Sequence, residues 1–105
     1  MASWKTKVLT GLRKHVEQDT VQFTEKAKDE LSALNLYEFD AVEIMAELTI
    51  VDLVDRIRST HGGETLYVFK PYLETLRLYV KIALRKYCDV ISFHPDSGEE
   101  TNVQD

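Results

Sequence analysis

The second half of the chain alternates apolar and polar side chains with a period of two, which is typical of strands. Residues 76–85 show this best, because one parity is purely aliphatic: Leu76, Leu78, Val80, Ile82 and Leu84. The opposite parity is basic apart from one tyrosine and one alanine: Arg77, Tyr79, Lys81, Ala83 and Arg85. A strand with this pattern packs its aliphatic face into a core and presents a row of cations around one phenol on the other side.

The first half of the chain follows the helical period instead. An apolar stripe from Trp4 to Val16 predicts a helix over residues 3–17, with Ser3 as its N-cap. Residues 21–24 predict a short strand, after which Thr24 caps a second helix that ends near Asn35. Two further short helices are expected. Asp40 is the predicted N-cap of the third, and Thr49 with Asp52 resembles the capping box of a fourth, which would contain Arg56.

Gly62 and Gly63 separate the helical half from the strands. Residues 65–70, 76–85 and 88–94 read as strands joined by short connectors, as in an antiparallel meander. Helices followed by strands indicate the α+β class, here N-terminal helices packed on one face of a small antiparallel sheet. We predict a single domain over residues 1–94 and a flexible acidic tail over residues 95–105.

Composition restricts the cellular context. The chain has 105 residues, 44% of them hydrophobic and 30% charged, and no apolar run is long enough to span a bilayer. The N-terminus lacks the apolar segment of a signal peptide. One cysteine, Cys88, allows neither an internal disulfide nor a cysteine-based zinc site. The three histidines lack metal-ligand spacing. These features predict a cytoplasmic protein that contacts no membrane and has no cysteine- or histidine-based zinc site, and we expect no cofactor.

Charge is unevenly distributed along this acidic chain, whose net charge is −5. Residues 25–55 hold nine acids and two bases, whereas residues 66–88 hold five bases and one acid. Net acidity repels a nucleic acid at long range, but a basic patch attracts it within a Debye length of about 8–10 Å. The basic strand face is therefore the candidate surface for a polyanion such as RNA.

The same face offers the groups needed to cleave RNA without a metal. Tyr79 or His94, at the end of the next strand, can act as acid or base at the ribose hydroxyl and the leaving oxygen. Cations on this face stabilise charge on the phosphate, and arginine grips phosphate through two hydrogen bonds. The alternative is an ordinary solvated sheet face, since a one-sided antiparallel sheet needs polar side chains outside.

Several short segments, in order and spacing, resemble the MqsR family of type II toxins. The likeness extends over residues 21–94 and rests on Thr24 with Ala27, Leu34-Asn35-Leu36, Phe39-Asp40, Leu48 with Asp52, Val68-Phe69-Lys70-Pro71, Leu78-Tyr79-Val80-Lys81-Ile82 and Val90-Ile91-Ser92-Phe93-His94. Members of this family are messenger-RNA interferases with a RelE-like fold. The resemblance implies a metal-independent, ribosome-independent endoribonuclease that cuts at short GC-containing sequences.

The resemblance also implies a partner and a site. The partner is a cognate antitoxin with a zinc-bearing N-terminal region and a helix-turn-helix region. The family's active-site tyrosine corresponds to Tyr79, a basic residue before its strand-linking proline to Lys70, and a lysine ending its last strand to His94. Its active-site lysine corresponds to Asp55, beside Arg56, and a glutamine near its first strand falls near Leu66.

Two functions follow as expectations. In the first, the chain is a toxin in which Tyr79 and His94 share acid–base work on mRNA, with the remaining roles assigned to cations. Lys81 and Arg56 stabilise the phosphate charge, and Lys70, Arg77 and Arg85 bind RNA. In the second, the chain is a non-catalytic protein of the same RelE-like fold that binds a partner protein through the basic strand face.

Overall fold

A computed structural model describes residues 3–60 and 62–97 and gives the bounds of each element. The helices are α1 (Trp4–Gln18), α2 (Glu25–Ala33) and α3 (Glu38–Ala46). The strands are β1 (Val21–Phe23), β2 (Leu53–Arg58), β3 (Thr65–Phe69), β4 (Tyr72–Leu73), β5 (Leu76–Leu84) and β6 (Cys88–Pro95). The fold is α+β, as the order of patterns along the chain predicts.

The helix termini show why the sequence places most of them correctly. The Ser3 hydroxyl accepts from the Thr6 N–H at 3.2 Å, and the Thr24 hydroxyl accepts from the Ala27 N–H at 3.1 Å. Each satisfies a backbone donor that the first helical turn leaves open. Asn35 follows α2 in the left-handed region with φ of 60°, a conformation that asparagine tolerates.

The third helix begins earlier than its sequence suggests. Asp40 is a residue of the first turn of α3 rather than its N-cap, and its carboxylate accepts from the Tyr37 N–H at 2.8 Å. A carboxylate one turn inside a helix can reach back to the N–H of the capping position, as it does in a capping box. The predicted chemistry is present, but the helix starts at Glu38.

The strands form one mixed six-stranded sheet in the order β1-β6-β5-β3-β2, with β4 paired to β5. β5 is antiparallel to β3 and to β6, and β1 is parallel to β6. The prediction of a purely antiparallel sheet is therefore wrong at one edge. Parallel neighbours need a long crossover, and here nearly the whole domain lies between β1 and β6.

The predicted fourth helix is instead the strand β2. The Thr49 N–H does donate to the Asp52 carboxylate, at 2.9 Å, but this bond closes a turn. Lys70 N–H then donates to the Asp52 carbonyl at 2.8 Å, which opens the pairing of β2 with β3. Gly62 and Gly63, both at positive φ, lie in the loop that joins the two strands. In so short a segment, tertiary pairing overrides a local capping signal.

The three helices cover one face of the sheet. Leu12 of α1, Leu31 of α2 and Met45 of α3 are buried against the aliphatic row of β5. Within that row Leu78, Val80 and Ile82 are fully buried, whereas Leu76 is exposed at the strand end. We call this the helix face and the opposite side the outer face. The aliphatic half of the sequence pattern is confirmed.

Cys88 begins β6 in this core and provides a test of the packing. Burial, with a smaller contribution from the Asp89 carboxylate, raises the pKa of its thiol from 9.0 to about 12. The unfolded chain therefore loses this proton near pH 9 while the folded protein keeps it. Unfolding releases a proton in that window, so stability falls as the pH rises from about 9 toward 12.

We expect this group to remove about 1.4 kcal/mol of unfolding free energy by about pH 10. Urea unfolding of wild type and Cys88→Ala, measured between about pH 8 and pH 10, isolates its contribution as the difference between the two slopes. The native thiol should also resist alkylation near pH 8 and react once the protein is unfolded. Identical slopes in both proteins, or rapid native alkylation, would contradict the burial.

Candidate functional site

Strand pairing places the sequence-predicted acid and base side by side on the outer face. Tyr79 of β5 pairs with His94 of β6, and Lys81 pairs with Ser92. Directly paired residues project to the same side of a sheet. Because Leu78, Val80 and Ile82 face the helices, Tyr79 and Lys81 project the other way. The two faces therefore separate as the alternation predicts.

Tyr79 and His94 form a half-buried stacked pair. Their ring centroids are 5.0 Å apart and their planes differ by 12°. The Nδ1 atom of His94 lies 2.8 Å from the Pro95 carbonyl oxygen. A carbonyl oxygen only accepts, so Nδ1 must donate, and Nε2 bears the lone pair of the neutral ring. This tautomer is inferred from the hydrogen bond. It equips His94 to receive a proton through Nε2.

Lys70 lies beside the stacked pair and is paired with a carboxylate, and Arg77 bonds to the backbone of Lys70. Lys70 Nζ lies 5.8 Å from the centroid of the Tyr79 ring and 3.3 Å from a carboxylate oxygen of Asp96. The guanidinium of exposed Arg77 donates to the Lys70 carbonyl at 3.2 Å. Asp96 N–H donates to the Arg77 carbonyl at 2.9 Å, which holds the chain end against β5. The pair thus lies in a basic but internally compensated setting.

Lys81 is buried, although the alternation predicts an open row. Its side chain is only 2% exposed, and its partner Ser92 is fully buried. Leu66, Val68 and Ala83 are buried as well but do not belong to the helix-face core. Val68 pairs directly with Lys81 on β3. These side chains form a second, small apolar cluster on the outer face, and the aliphatic stem of a lysine packs readily against such a surface.

An additional cation reaches this face from α2. β1 pairs with β6 only as far as Phe23. Beyond that point α2 covers the edge of β6, and the Phe93 N–H donates to the Glu30 carboxylate at 2.8 Å. Lys26 Nζ donates to the Ser92 hydroxyl at 3.0 Å and pairs with the other Glu30 oxygen at 3.0 Å. The outer face therefore carries four cations, Lys26, Lys70, Arg77 and Lys81, and the two carboxylates of Glu30 and Asp96.

No protein-family model and no curated protein matches the chain. Within residues 3–60 and 62–97, no group of three or more histidine, cysteine, aspartate or glutamate side chains is arranged to hold a metal ion. The helices of that same part of the chain are too short or too polar to cross a membrane. Chemical assignment of the outer face therefore rests on its own geometry.

Two residues of the predicted set lie elsewhere. Arg56 pairs with Tyr67 on the helix face, and its guanidinium lies 4.3 Å from the centroid of the Trp4 ring. The sheet separates it from His94, so the structure does not bring it into the site. Arg85 lies six residues from Tyr79, about 20 Å along the strand direction. It pairs with Glu64 at 3.3 Å and Asp89 at 3.0 Å, at the far end of the sheet.

Sequence reasoning missed Lys26, Glu30, Ser92 and Asp96. Ser92 shares the parity of His94 within β6, so strand alternation could have found it. Asp96 lies just past the predicted boundary at residue 94, yet its side chain is only 10% exposed. The ordered domain therefore extends beyond that boundary, while residues 98–105 of the predicted tail lie outside the described residues. For Lys26 and Glu30 no local pattern exists, because only the tertiary fold brings α2 to β6.

Proposed function

We propose that the chain is a toxin of the RelE-like, MqsR type that cleaves mRNA in the cytoplasm without a metal. The observation that carries the proposal is the Tyr79–His94 stack, with Lys70 beside the phenol ring and buried Lys81 one pair further along. An imidazole, a phenol and fixed positive charge within a few ångströms are the groups that cleavage of a ribose phosphodiester requires.

The reaction follows from the positions of these groups. His94 Nε2 takes the proton of the ribose 2′-hydroxyl, and the 2′-oxygen forms a bond to phosphorus. The bond from phosphorus to the 5′-oxygen breaks, and the Tyr79 hydroxyl donates its proton to that oxygen. The products are a 2′,3′-cyclic phosphate and a 5′-hydroxyl. Lys70 and Arg77 bind the phosphates on either side, and Lys81 contributes its field to the charge that builds on the phosphoryl oxygens.

A second candidate is a non-catalytic protein that binds a partner through the same outer face. It is favoured by the ion pairs that already engage two of the predicted RNA-binding cations. Lys70 pairs with Asp96, and Arg85 pairs with Glu64 and Asp89, which reduces the charge left for a polyanion. A cognate antitoxin with a zinc-bearing region and a helix-turn-helix region is the partner that the family resemblance suggests for either candidate.

The test is RNA cleavage by the purified protein. We expect defined cuts in a synthetic mRNA, unchanged by EDTA, with cyclic phosphate and 5′-hydroxyl ends, and growth arrest on induced expression. A variant carrying both Tyr79→Phe and His94→Ala, purified in parallel, controls for contaminating nuclease. Intact RNA after prolonged incubation, together with normal growth, would favour the partner-binding candidate.

A further inference from the structure

A groove runs beside α3 on the acidic side of the molecule. One cavity of about 490 Å³ is lined by Leu36, Ile44 and Leu73, together with polar residues of α3. A second, of about 320 Å³, is lined by Ile44, Pro71 and Tyr72 among others. Ile44 and Glu47 line both cavities, so the two lie next to each other along α3, and we call this surface the α3 groove. Volumes of this size accept large apolar side chains.

Carboxylates form the rim of the α3 groove. Asp40 and Glu43 border the first cavity, Asp52 borders the second, and Glu47 borders both. Residues 36–55 contain six acids and no base. Among the described cations, none pairs with Glu43 or Glu47. Arg13, which donates to the Leu48 carbonyl at 3.0 Å, and Arg77, beside Tyr72, adjoin the groove, but its four carboxylates outnumber them, so the groove has a net negative charge.

Exposed aromatic side chains extend this surface at both ends. Tyr37 and Phe39 are 70% and 65% exposed and stack on each other at 5.4 Å between ring centroids. A third cavity, lined by Leu36 and Tyr37, continues the groove toward them. At the other end Tyr72 is 65% exposed. Contiguous exposed apolar surface of this kind, bordered by charge, is a mark of protein interaction sites.

We propose that the α3 groove binds a basic amphipathic segment of a partner protein. Complementary charge selects the partner, because lysines and arginines flanking an apolar face would meet the carboxylate rim. The two adjacent cavities offer places for apolar anchors of such a segment, as in helix-in-groove recognition. RNA and acidic peptides are repelled by the same rim. The proposal concerns a different surface from the RNA-cleaving site and stands without it.

The position of Tyr72 connects this groove to the outer face. Tyr72 pairs with Arg77 across β4 and β5, and the Arg77 guanidinium lies 5.3 Å from the Tyr72 ring centroid. A segment seated at the Tyr72 end therefore ends beside one of the cations proposed to bind RNA. The partner would need no contact with His94 to restrict access to the outer face.

The test uses the whole chain and a synthetic helical peptide of about 14 residues, with leucines on one face and lysines on the other. Its matched peptide has glutamate in place of every lysine. At about 0.15 M salt we expect the lysine peptide to bind at least about tenfold more tightly. Glu43→Lys combined with Glu47→Lys should weaken it by about tenfold or more, measured by fluorescence anisotropy.

Two controls separate the groove from overall charge. Glu17→Lys combined with Asp29→Lys makes the same charge change at exposed positions outside the groove, and its affinity should stay within about twofold of wild type. Tyr72→Ala removes an exposed apolar contact without a charge change and should weaken binding about tenfold. Equal losses in both charge-reversal pairs, or no loss in Tyr72→Ala, would overturn the proposal.

Sedimentation of the protein alone tests the other possible occupant. If the chain forms a dimer that the Glu43→Lys, Glu47→Lys pair disperses, the groove is filled by a second copy and the proposal is wrong. A monomer at all concentrations supports it. If the chain binds the peptide but cleaves no RNA, the groove proposal is supported and the nuclease proposal is contradicted. If it cleaves RNA but does not bind the peptide, the nuclease proposal is supported and the groove proposal is contradicted.

Discussion

Replacing His94 by alanine is expected to slow RNA cleavage by about 10²–10⁴-fold, the usual contribution of a positioned general base. The Pro95 carbonyl fixes Nδ1 as the donor, so only Nε2 is disposed to take the 2′-hydroxyl proton. Tyr79→Phe keeps the stacked ring and removes only the hydroxyl. It should slow cleavage by a similar factor, because the leaving 5′-oxygen then lacks its proton donor. Single-turnover cleavage of a synthetic RNA measures both.

The chain offers matched controls for these substitutions. His15 is a half-buried histidine of α1 that bonds the Thr20 hydroxyl at 2.7 Å, far along the chain from the outer face. His15→Ala should cleave at the wild-type rate, as should Tyr87→Phe at the end of the β5–β6 connection. Thermal unfolding of all four variants excludes a folding defect. Wild-type cleavage by both outer-face variants would mean that other groups transfer the protons.

The strand half of the molecule was predictable because its alternation is long and regular. β5 keeps one parity aliphatic over nine residues, so a shift of one position would expose the whole row. Pairing β5 with β6 then follows from a short connector, and Tyr79 meets His94 as a consequence.

Where the pattern is short, contacts between residues distant in sequence decide the structure. Thr49 and Asp52 resemble a capping box, which predicts a helix that contains Arg56. The Thr49–Asp52 bond does form, but pairing with β3 makes that segment a strand.

The alternation within β5 does not predict the burial of Lys81, whose cause lies outside β5. Alternation determines the face of the sheet to which a side chain projects. Its burial depends on which side chains of the neighbouring strands cover it on that face. Leu66 and Val68 of β3 bring apolar side chains to the outer face. In the described part of the chain no buried side-chain nitrogen or oxygen lacks a hydrogen-bond partner, so Lys81 is held in a satisfied setting. The site is therefore less open than a solvated basic strip.

Replacing Lys81 by methionine is expected to lower kcat by about 50-fold to 100-fold. Burial prevents its ammonium from bonding a phosphate at the surface in this conformation, so its effect arises from its field. A phosphate bound at Tyr79 lies about 7 Å away, two residues along the strand. At an effective dielectric constant of about 20, that separation corresponds to about 2–3 kcal/mol. The interaction grows as charge builds on the phosphate, so kcat should fall together with kcat/KM.

Stability distinguishes this role from a structural one. A methionine of similar shape removes the cost of burying an ammonium but leaves the groups that hydrogen-bond it without a donor, so the Tm of Lys81→Met should fall, while kcat measured well below that Tm should still show the loss of the field. Lys26→Met is the matched control, because Lys26 also adjoins Ser92 but is 46% exposed, so solvent screens its charge better than that of buried Lys81. A large fall in Tm for Lys81→Met with kcat unchanged would assign Lys81 to the fold alone. Equal losses of kcat in both variants would show that burial does not strengthen its effect.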